Sequence, residues 1–310
     1  MARAIALLAA ASLEACSFRG PLAIDAGGAD ALDATAVDAQ LGPDAPLTCL
    51  QKWQQHVVTL GPEVALTALN SGVKDRDVFV TLDETQVYFS HANPDDDVFL
   101  STRSGSTMTL GMPVPTSLGS PDEEGKLSLT QDGTIAALSA TEFPSVQFDV
   151  VLYQRTAPDA FTRLGLIAVA ATSDHQDYDP YITPDGLRLY WAPATIGSND
   201  QHITLASRPN LSTTFSVDHV LTELGSPASD PAPSYDETVL LYSMQTDGGS
   251  IHYATRPTAT GAFTPAGLVP TINTSLGNEA DSHLSKDACR VYFARYSVAT
   301  DWDLYVAPVL

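Results

Sequence analysis

Apolar and polar residues alternate in short paired runs along residues 75–310, and each pair of runs meets at an acidic turn. The turns contain five aspartates spaced 49, 53, 51 and 51 residues apart, each with Ser or Thr two places before it. The five are Asp83, Asp132, Asp185, Asp236 and Asp287. Gly follows two of them, and Asp-Gly between alternating runs is typical of a β-hairpin. Each unit therefore begins with two antiparallel strands, A and B.

Two further strands complete each unit. Third runs (strand C) lie at residues 97–103, 149–155, 203–208, 251–256 and 303–307. Fourth runs (strand D) lie at residues 113–118, 164–169, 217–224 and 268–272. The fifth unit lacks a fourth run, but residues 61–70 resemble residues 266–273. We expect this N-terminal segment to supply the missing strand.

These patterns predict an all-β fold over residues 47–310, a single β-propeller of five four-stranded blades. A ring of sheets must join its first and last blades, and a last blade closed by an N-terminal strand does this with ladder hydrogen bonds. A sandwich or an open solenoid would explain the repeat but not the displaced strand.

The third unit carries the clearest copy of the repeat. It has Asp179-Pro180 ahead of the turn, Asp185-Gly186 in the turn and Trp191 at the end of the following apolar strand. This pattern resembles the TolB-type propeller repeat, a relative of the WD repeats, over about 260 residues.

Other units depart from the repeat at single places. Lys126 replaces the leading Asp in the second unit, and Glu237 and Ala288 replace the turn Gly in the fourth and fifth. The resemblance implies a propeller fold, which occurs in periplasmic interaction proteins, in lipoproteins and as gating domains of peptidases. No hydrolase domain follows the repeats, so the peptidase role is not carried over.

Residues 1–15 predict a signal peptide, with Arg3 before a ten-residue apolar stretch. Leu13, Ala15 and Cys16 resemble a bacterial lipobox, from which Glu14 departs. The resemblance implies lipidation of Cys16, and the alternative is an ordinary signal peptide cleaved elsewhere.

Residues 16–46 predict a disordered, lipid-anchored linker, because residues 20–46 include eight Ala and five Asp and no aromatic residue. The alternative is a disordered N-terminus without lipid. We expect an exported lipoprotein of the outer membrane or cell surface, facing the periplasm or the exterior.

The charge balance excludes several classes of function. The 310 residues include 15 Lys and Arg against 37 Asp and Glu, a net charge of −22. Nucleic-acid binding needs a basic face, so it is not expected. Membrane contact is expected only through the lipid, because charge opposes docking on anionic lipid. We expect a monomer with no cofactor and no metal.

Two sets of carboxylates are predicted to surround the channel mouth, because they open strand A, the innermost strand. Six places before the turn aspartates stand the leading carboxylates, Asp77, Asp179, Asp230 and Asp281. Eight places before stand the outer carboxylates, Asp75, Glu124, Asp177 and Glu279. Loops between strands B and C reach the same face and add Asp95, Asp96, Asp97, Glu142, Asp200, Asp247 and Asp301. One acidic face would favour cations or a basic partner.

The leading carboxylates allow two interpretations. They could join the blades by accepting backbone N–H bonds from neighbouring loops, which repetition at one register favours. They could instead form a ligand, metal or partner site. Lys126 is the one break in the set and could pair with adjacent acids.

Three classes of function remain, because no Gly-x-Ser-x-Gly elbow, metal-type histidine spacing or phosphate loop is present. The first, which we adopt, is a non-enzymatic propeller that binds an unidentified protein or ligand. The second is a glycoside hydrolase with channel carboxylates and aromatic walls. Trp191 and Trp302 could form such walls, but core packing explains their strand positions better. The third is a lectin-like sugar binder with one shallow site per blade.

Cys49 and Cys289 are predicted to form a disulfide. Export permits the bond, lipid occupies Cys16, and both remaining cysteines fall on the face opposite the acidic mouth. Two unrelated buried thiols are the alternative.

Overall fold

The computed structural model describes residues 46–310, except 93–94, 105–108, 119–122, 142–146, 171–174, 199, 247–248 and 275–277. The signal peptide, Cys16, all but the last residue of the linker, Glu142 and Asp247 lie outside the described residues. Within the described part, no helix has the length and apolar character needed to cross a membrane.

The structure is an all-β propeller of five antiparallel sheets, as predicted. The segment before blade 1 contains α1 (Cys49–Gln54) and β1 (Val64–Ala65). Blade 1 contains β2 (Asp75–Val80), β3 (Gln86–Ala92), β4 (Asp96–Ser104), β5 (Thr109–Leu110) and β6 (Val114–Pro115). Blade 2 contains β7 (Glu124–Leu129), β8 (Ile135–Thr141), β9 (Phe148–Ala157) and β10 (Ala160–Leu166). Blade 3 contains β11 (His175–Ile182), β12 (Arg188–Thr195), β13 (Thr204–Ser207) and β14 (Ser216–Val220). Blade 4 contains β15 (Ala228–Pro233), β16 (Val239–Met244), β17 (Ser250–Thr255) and β18 (Thr264–Leu268). Blade 5 contains β19 (Glu279–Leu284), β20 (Arg290–Ser297) and β21 (Asp301–Pro308).

The outer strand D differs from its predicted position. In blades 2 and 4 it begins four residues earlier, in blade 3 it begins one residue earlier and ends four residues earlier, and in blade 1 two short strands share the place. In blade 3 the second half of the predicted run lies beyond the strand, where Leu221 caps a 3₁₀ turn and Leu224 ends it, and both are buried. Their i, i+3 spacing is the period of a 3₁₀ helix, so the run packs one face inward instead of alternating.

The N-terminal strand closes the ring, as predicted. Val64 pairs with Val306 and Ala65 with Tyr305, which makes β1 the fourth strand of blade 5. An isolated bridge from Leu60 to Val309 extends the contact. Strands from the two ends of the chain therefore pair within one sheet, and blade 5 is completed without a strand of its own at that position.

A disulfide and a buried tryptophan hold the preceding segment on blade 5. Cys49 is bonded to Cys289 with a Cα–Cα distance of 5.1 Å. Trp53 is fully buried, its Nε1 donates to Ala288 O at 3.0 Å, and its ring meets Tyr253 edge-on. The helix α1 therefore packs at the joint between blades 4 and 5.

A polar contact joins blade 5 to blade 1 beside this closure. Glu84 follows the turn aspartate of blade 1 in left-handed backbone conformation, φ 55°. Its carboxylate accepts from Tyr292 Oη at 2.6 Å and forms an ion pair with Arg290. Arg103 donates to the same Tyr292 hydroxyl at 3.1 Å. The residue that replaces the turn Gly thus forms an inter-blade contact.

Candidate functional site

The leading carboxylates sit at a break in strand A. Each innermost strand shifts register there by a β-bulge, between Tyr178 and Tyr181 in blade 3 for example. All four leading aspartates have positive φ, from 53° to 58°. Asp tolerates this conformation better than most residues, because its short side chain bonds locally. The bulge turns these side chains towards the channel.

The four carboxylates converge on one point. Oxygens of Asp77, Asp179 and Asp281 all lie within 4.8 Å of one another. Asp230 completes the group, because it hydrogen-bonds with Asp179 and with Asp281. We call these four residues the aspartate cluster.

Two cations and two hydroxyls accompany the aspartate cluster. Lys126 is fully buried, donates to Ser282 O at 3.2 Å and attracts Asp230. Arg76 Nε lies 3.4 Å from Asp77. Ser90 Oγ donates to Asp77 at 2.6 Å. Ser243 occupies the equivalent repeat position in blade 4, and its hydroxyl lies beside Asp230. Lys126 therefore pairs with adjacent acids.

The protonation states within the aspartate cluster diverge. Desolvation, with the charges of Asp230 and Asp77, raises the pKa of Asp179 well above its usual range. Desolvation, with the charges of Asp77 and Asp230, raises the pKa of Asp281 in the same way. Desolvation opposes ionisation of Asp230, but the charge of Lys126 and hydrogen bonds with Asp281 and Asp179 outweigh it and lower that pKa. Two cations balance two carboxylates, so the other two carboxyls favour holding protons.

The outer carboxylates join strands and loops instead. Asp75 accepts from Ser71 N at 2.7 Å, and Glu279 accepts from Thr274 N at 3.2 Å. Asp177 accepts from Trp191 Nε1 at 2.8 Å. Glu124 is buried at the start of β7. Asp75 and Glu279 of the outer carboxylates thus accept hydrogen bonds from backbone N–H groups of loops. Among the described residues, no backbone N–H donates to a carboxylate of the aspartate cluster.

A cavity of ≈ 340 Å³ opens above the aspartate cluster. Three of the four leading aspartates line it, and Tyr178 and Trp302 supply aromatic rings. Amides from the loops complete the wall, namely Gln201, Gln245 and Asn278. Sequence reasoning missed these amides and Tyr178, although the loops between strands B and C that carry Gln201 and Gln245 were predicted to reach this face. Trp191 is buried in the core, the position that its place in the strand favoured.

An aromatic layer closes the channel beneath the aspartate cluster. Phe79, Tyr181 and His283 stand two places after leading aspartates, and their ring centroids lie 4.8–6.5 Å apart. His283 Nε2 bonds to Val80 O at 3.0 Å. Burial, with repulsion from Lys126, lowers the pKa of His283 to about 3. The imidazole is therefore neutral, and the layer beneath the aspartate cluster is apolar and uncharged.

The loop carboxylates vary in their surroundings. Asp96 is buried between Lys74 and Arg76, whereas Asp200 and Asp301 are exposed. Asp95 and Asp97 are partly exposed. The acidic character of this face therefore arises from exposed loops around a charge-balanced centre.

The geometry bears on two kinds of chemistry. Three carboxylate oxygens within 4.8 Å could hold a metal ion. A retaining glycosidase needs two carboxyl groups about 5–5.5 Å apart and an inverting enzyme about 6.5–9.5 Å. One oxygen each of Asp77, Asp179 and Asp281 lies within 4.8 Å of the others, and Asp230 hydrogen-bonds with Asp179 and Asp281, so the four carboxyls form one connected group.

No family model and no curated protein matches the chain in sequence. Solved structures are similar in fold. TolB from Acinetobacter baumannii matches with a TM-score of 0.50 and 15% identity over 77% of this chain and 56% of that chain. A GH43_12 retrieved from capybara gut metagenome matches with a TM-score of 0.50 and 13% identity, over 79% of this chain and 52% of that chain. An endo-arabinase from Bacteroides thetaiotaomicron matches with a TM-score of 0.51 and 12% identity, over 80% of this chain and 96% of that chain. The chain thus spans little more than half the length of that TolB, and the likeness shows the propeller fold alone.

Proposed function

We propose that this chain is a non-enzymatic binding propeller of the cell envelope, tethered by lipid on Cys16, whose channel mouth binds a cationic group of a partner. The observation that carries the proposal is the cavity above the aspartate cluster, with Asp179 and Asp281 at its base and Tyr178 and Trp302 on its walls. An ammonium or guanidinium group is attracted both to carboxylates and to aromatic faces.

The charge balance favours a cation over an anion or a neutral group. Asp179 and Asp281 favour holding protons, because only Lys126 and Arg76 offset the four acids. An entering cation would replace those protons and recover the ion pairing that the folded chain lacks. Binding should therefore release protons and strengthen as pH rises.

Exposed loop charges would assist the approach of such a partner. Asp200 and Asp301 are exposed near the mouth, and the chain has a net charge of −22. A field of one sign speeds association with an oppositely charged partner and weakens with salt.

The test uses the full chain and n-butylammonium, with n-butanol as the uncharged probe of the same shape. Calorimetry should show binding of the ammonium alone, stronger at pH 8 than at pH 5. Asp281→Asn should weaken binding at least ten-fold, whereas Asp200→Asn, which removes one charge from an exposed loop at the same face, should change it less than two-fold. Equal losses in the two variants would mean a diffuse surface field and would refute the site.

A second candidate is a glycan-active propeller. Tyr178 and Trp302 with the neighbouring amides form the mixed aromatic and polar wall that small-molecule sites use. The opposite pKa directions of Asp179 and Asp230 would suit an acid and a base. A glycan array and an assay for reducing-end release, each repeated with Asp179→Asn, would separate a sugar binder or hydrolase from the cation site.

A further inference from the structure

A second cavity, of ≈ 240 Å³, lies where the N-terminal segment meets blade 1. It is separate from the channel mouth and is lined by a different set of residues. Leu69, Phe89, His91, Phe99 and Met112 form most of its wall. The segment that closes the ring therefore also completes this pocket.

The walls are apolar and preformed. Leu69 and Phe89 are buried in the core, 2% and 1% exposed. Phe99 meets the His91 ring edge-on at 4.7 Å. Met112, 84% exposed, stands at the rim. Apolar surface that is held open by packed neighbours favours binding of an apolar molecule.

A buried carboxylate orients the imidazole of His91. Asp75 is fully buried and accepts from Ser71 N at 2.7 Å, from Ser71 Oγ at 2.8 Å and from His91 Nδ1 at 2.6 Å. A carboxylate accepts hydrogen bonds, so this contact assigns the hydrogen to Nδ1. The other ring nitrogen, Nε2, is then an acceptor in the neutral imidazole.

The other polar groups of the pocket are already engaged. Asn70 Nδ2 donates to Leu304 O at 3.1 Å, and Asn70 Oδ1 accepts from Leu304 N at 2.8 Å. Ser71 is bonded to Asp75. Across the described residues, none hydrogen-bonds to His91 Nε2, and the His91 side chain is 16% exposed.

We propose that this pocket binds a small monocyclic aromatic molecule that donates one hydrogen bond from a hydroxyl or N–H group to His91 Nε2. The volume of the cavity limits the ligand to one aromatic ring, since an apolar cavity of about 150 Å³ accommodates benzene. The somewhat larger volume suits one substituted ring. The apolar walls take the ring, and the oriented nitrogen selects the donor.

The chain offers a direct probe, because it has only four methionines. The full chain labelled with ¹³C at the methionine methyl groups is titrated at pH 8 with 4-methylphenol and, separately, with 4-methylanisole, in which a methyl group replaces the hydroxyl hydrogen and removes the donor. The phenol should shift the Met112 resonance saturably, leave Met244 unmoved and bind roughly five-fold more tightly than the ether, as expected for one hydrogen bond.

Variants test the role of His91 itself. His91→Phe should abolish the preference for the phenol, and His252→Phe, the same change at a partly buried strand histidine of blade 4, should retain it. The comparison of the two ligands on the unaltered chain stands even if His91→Phe does not fold. Absence of any Met112 shift, equal shifts at Met244, or equal affinity for the two ligands would overturn the proposal.

Discussion

Tyr190 of blade 3 donates a hydrogen bond of 2.6 Å to Glu237 of blade 4. The same carboxylate pairs with Arg188 at 2.6 Å and with Arg256 at 3.3 Å, and Arg256 also donates to the tyrosine hydroxyl. Glu237 has φ 58°, a conformation that favours Gly, and it replaces the turn Gly of the repeat. This contact between blades 3 and 4 matches the one that Glu84 and Tyr292 form at the ring closure.

Glu237→Ala should destabilise the fold by about 3 kcal/mol, because it leaves two buried or half-buried guanidinium groups without their carboxylate. The free energy of unfolding in urea measures the change. Glu123→Ala, which removes an exposed acid just before β7, is the control and should stay within about 0.5 kcal/mol. Equal effects would show that the contact contributes nothing specific.

Asp179→Asn should raise the melting temperature at pH 7. The wild-type carboxyl is desolvated beside Asp230 and Asp77, so a neutral side chain of the same shape relieves repulsion, and Asn also tolerates the positive φ. We expect a gain on the order of 1 kcal/mol in unfolding free energy. A clear loss would mean that the carboxylate joins blades after all.

The gain should depend on pH in a defined direction. Asp179 and Asp281 have raised pKa values, so above the ordinary value of 3.8 the folded chain holds more protons than the unfolded chain. Their contribution to unfolding free energy therefore falls as pH rises from about 4 towards the folded pKa. Hydrogen bonds within the turns lower the pKa of Asp83, Asp132 and Asp287, and stability from these groups is lost as pH falls.

Because the turn aspartates are common to both proteins, the difference between Asp179→Asn and wild type isolates the aspartate cluster. That difference should grow between pH 4 and pH 8 in urea unfolding measured at each pH. A difference that is constant over this range would contradict the raised pKa.

Replacing Cys49 and Cys289 together by Ala should cost about 3–5 kcal/mol, because the bond closes a loop of 240 residues in the unfolded chain. Urea unfolding of the oxidised protein and of the double variant measures the loss. An unchanged midpoint, or two thiols titrated in the unreduced unfolded protein, would show that the bond is absent in solution.

Intact mass spectrometry of the membrane-extracted protein should show a chain that begins at Cys16 and carries added acyl mass. Cys16→Ser should move the protein from the membrane to the soluble fraction. Soluble wild-type protein with an unmodified Cys16 would rule out the lipid anchor.

The repeat register predicted the blades, the closing strand and the positions of the leading carboxylates, because a period near 51 residues and alternating runs are properties of the chain itself. It placed strand D too late, because the apolar run was taken as the strand, although Leu221 and Leu224 have the i, i+3 spacing of a turn. The Tyr190–Glu237 contact was not predicted, because it joins residues of different blades whose proximity depends on the ring. The His91–Asp75 pair was also not predicted, although both residues belong to blade 1 and stand opposite each other in the register of β2 and β3.

The pairing of Val64 with Val306 has a consequence for the order in which the protein is made. Blades 1 to 4 can assemble as they are synthesised, but blade 5 waits for Asp301–Pro308, which the early strand must find across most of the chain. Contacts of such long sequence separation form late and slowly. The ring therefore cannot close until Asp301–Pro308 has been synthesised, so the N-terminal strand stays unpaired for most of synthesis.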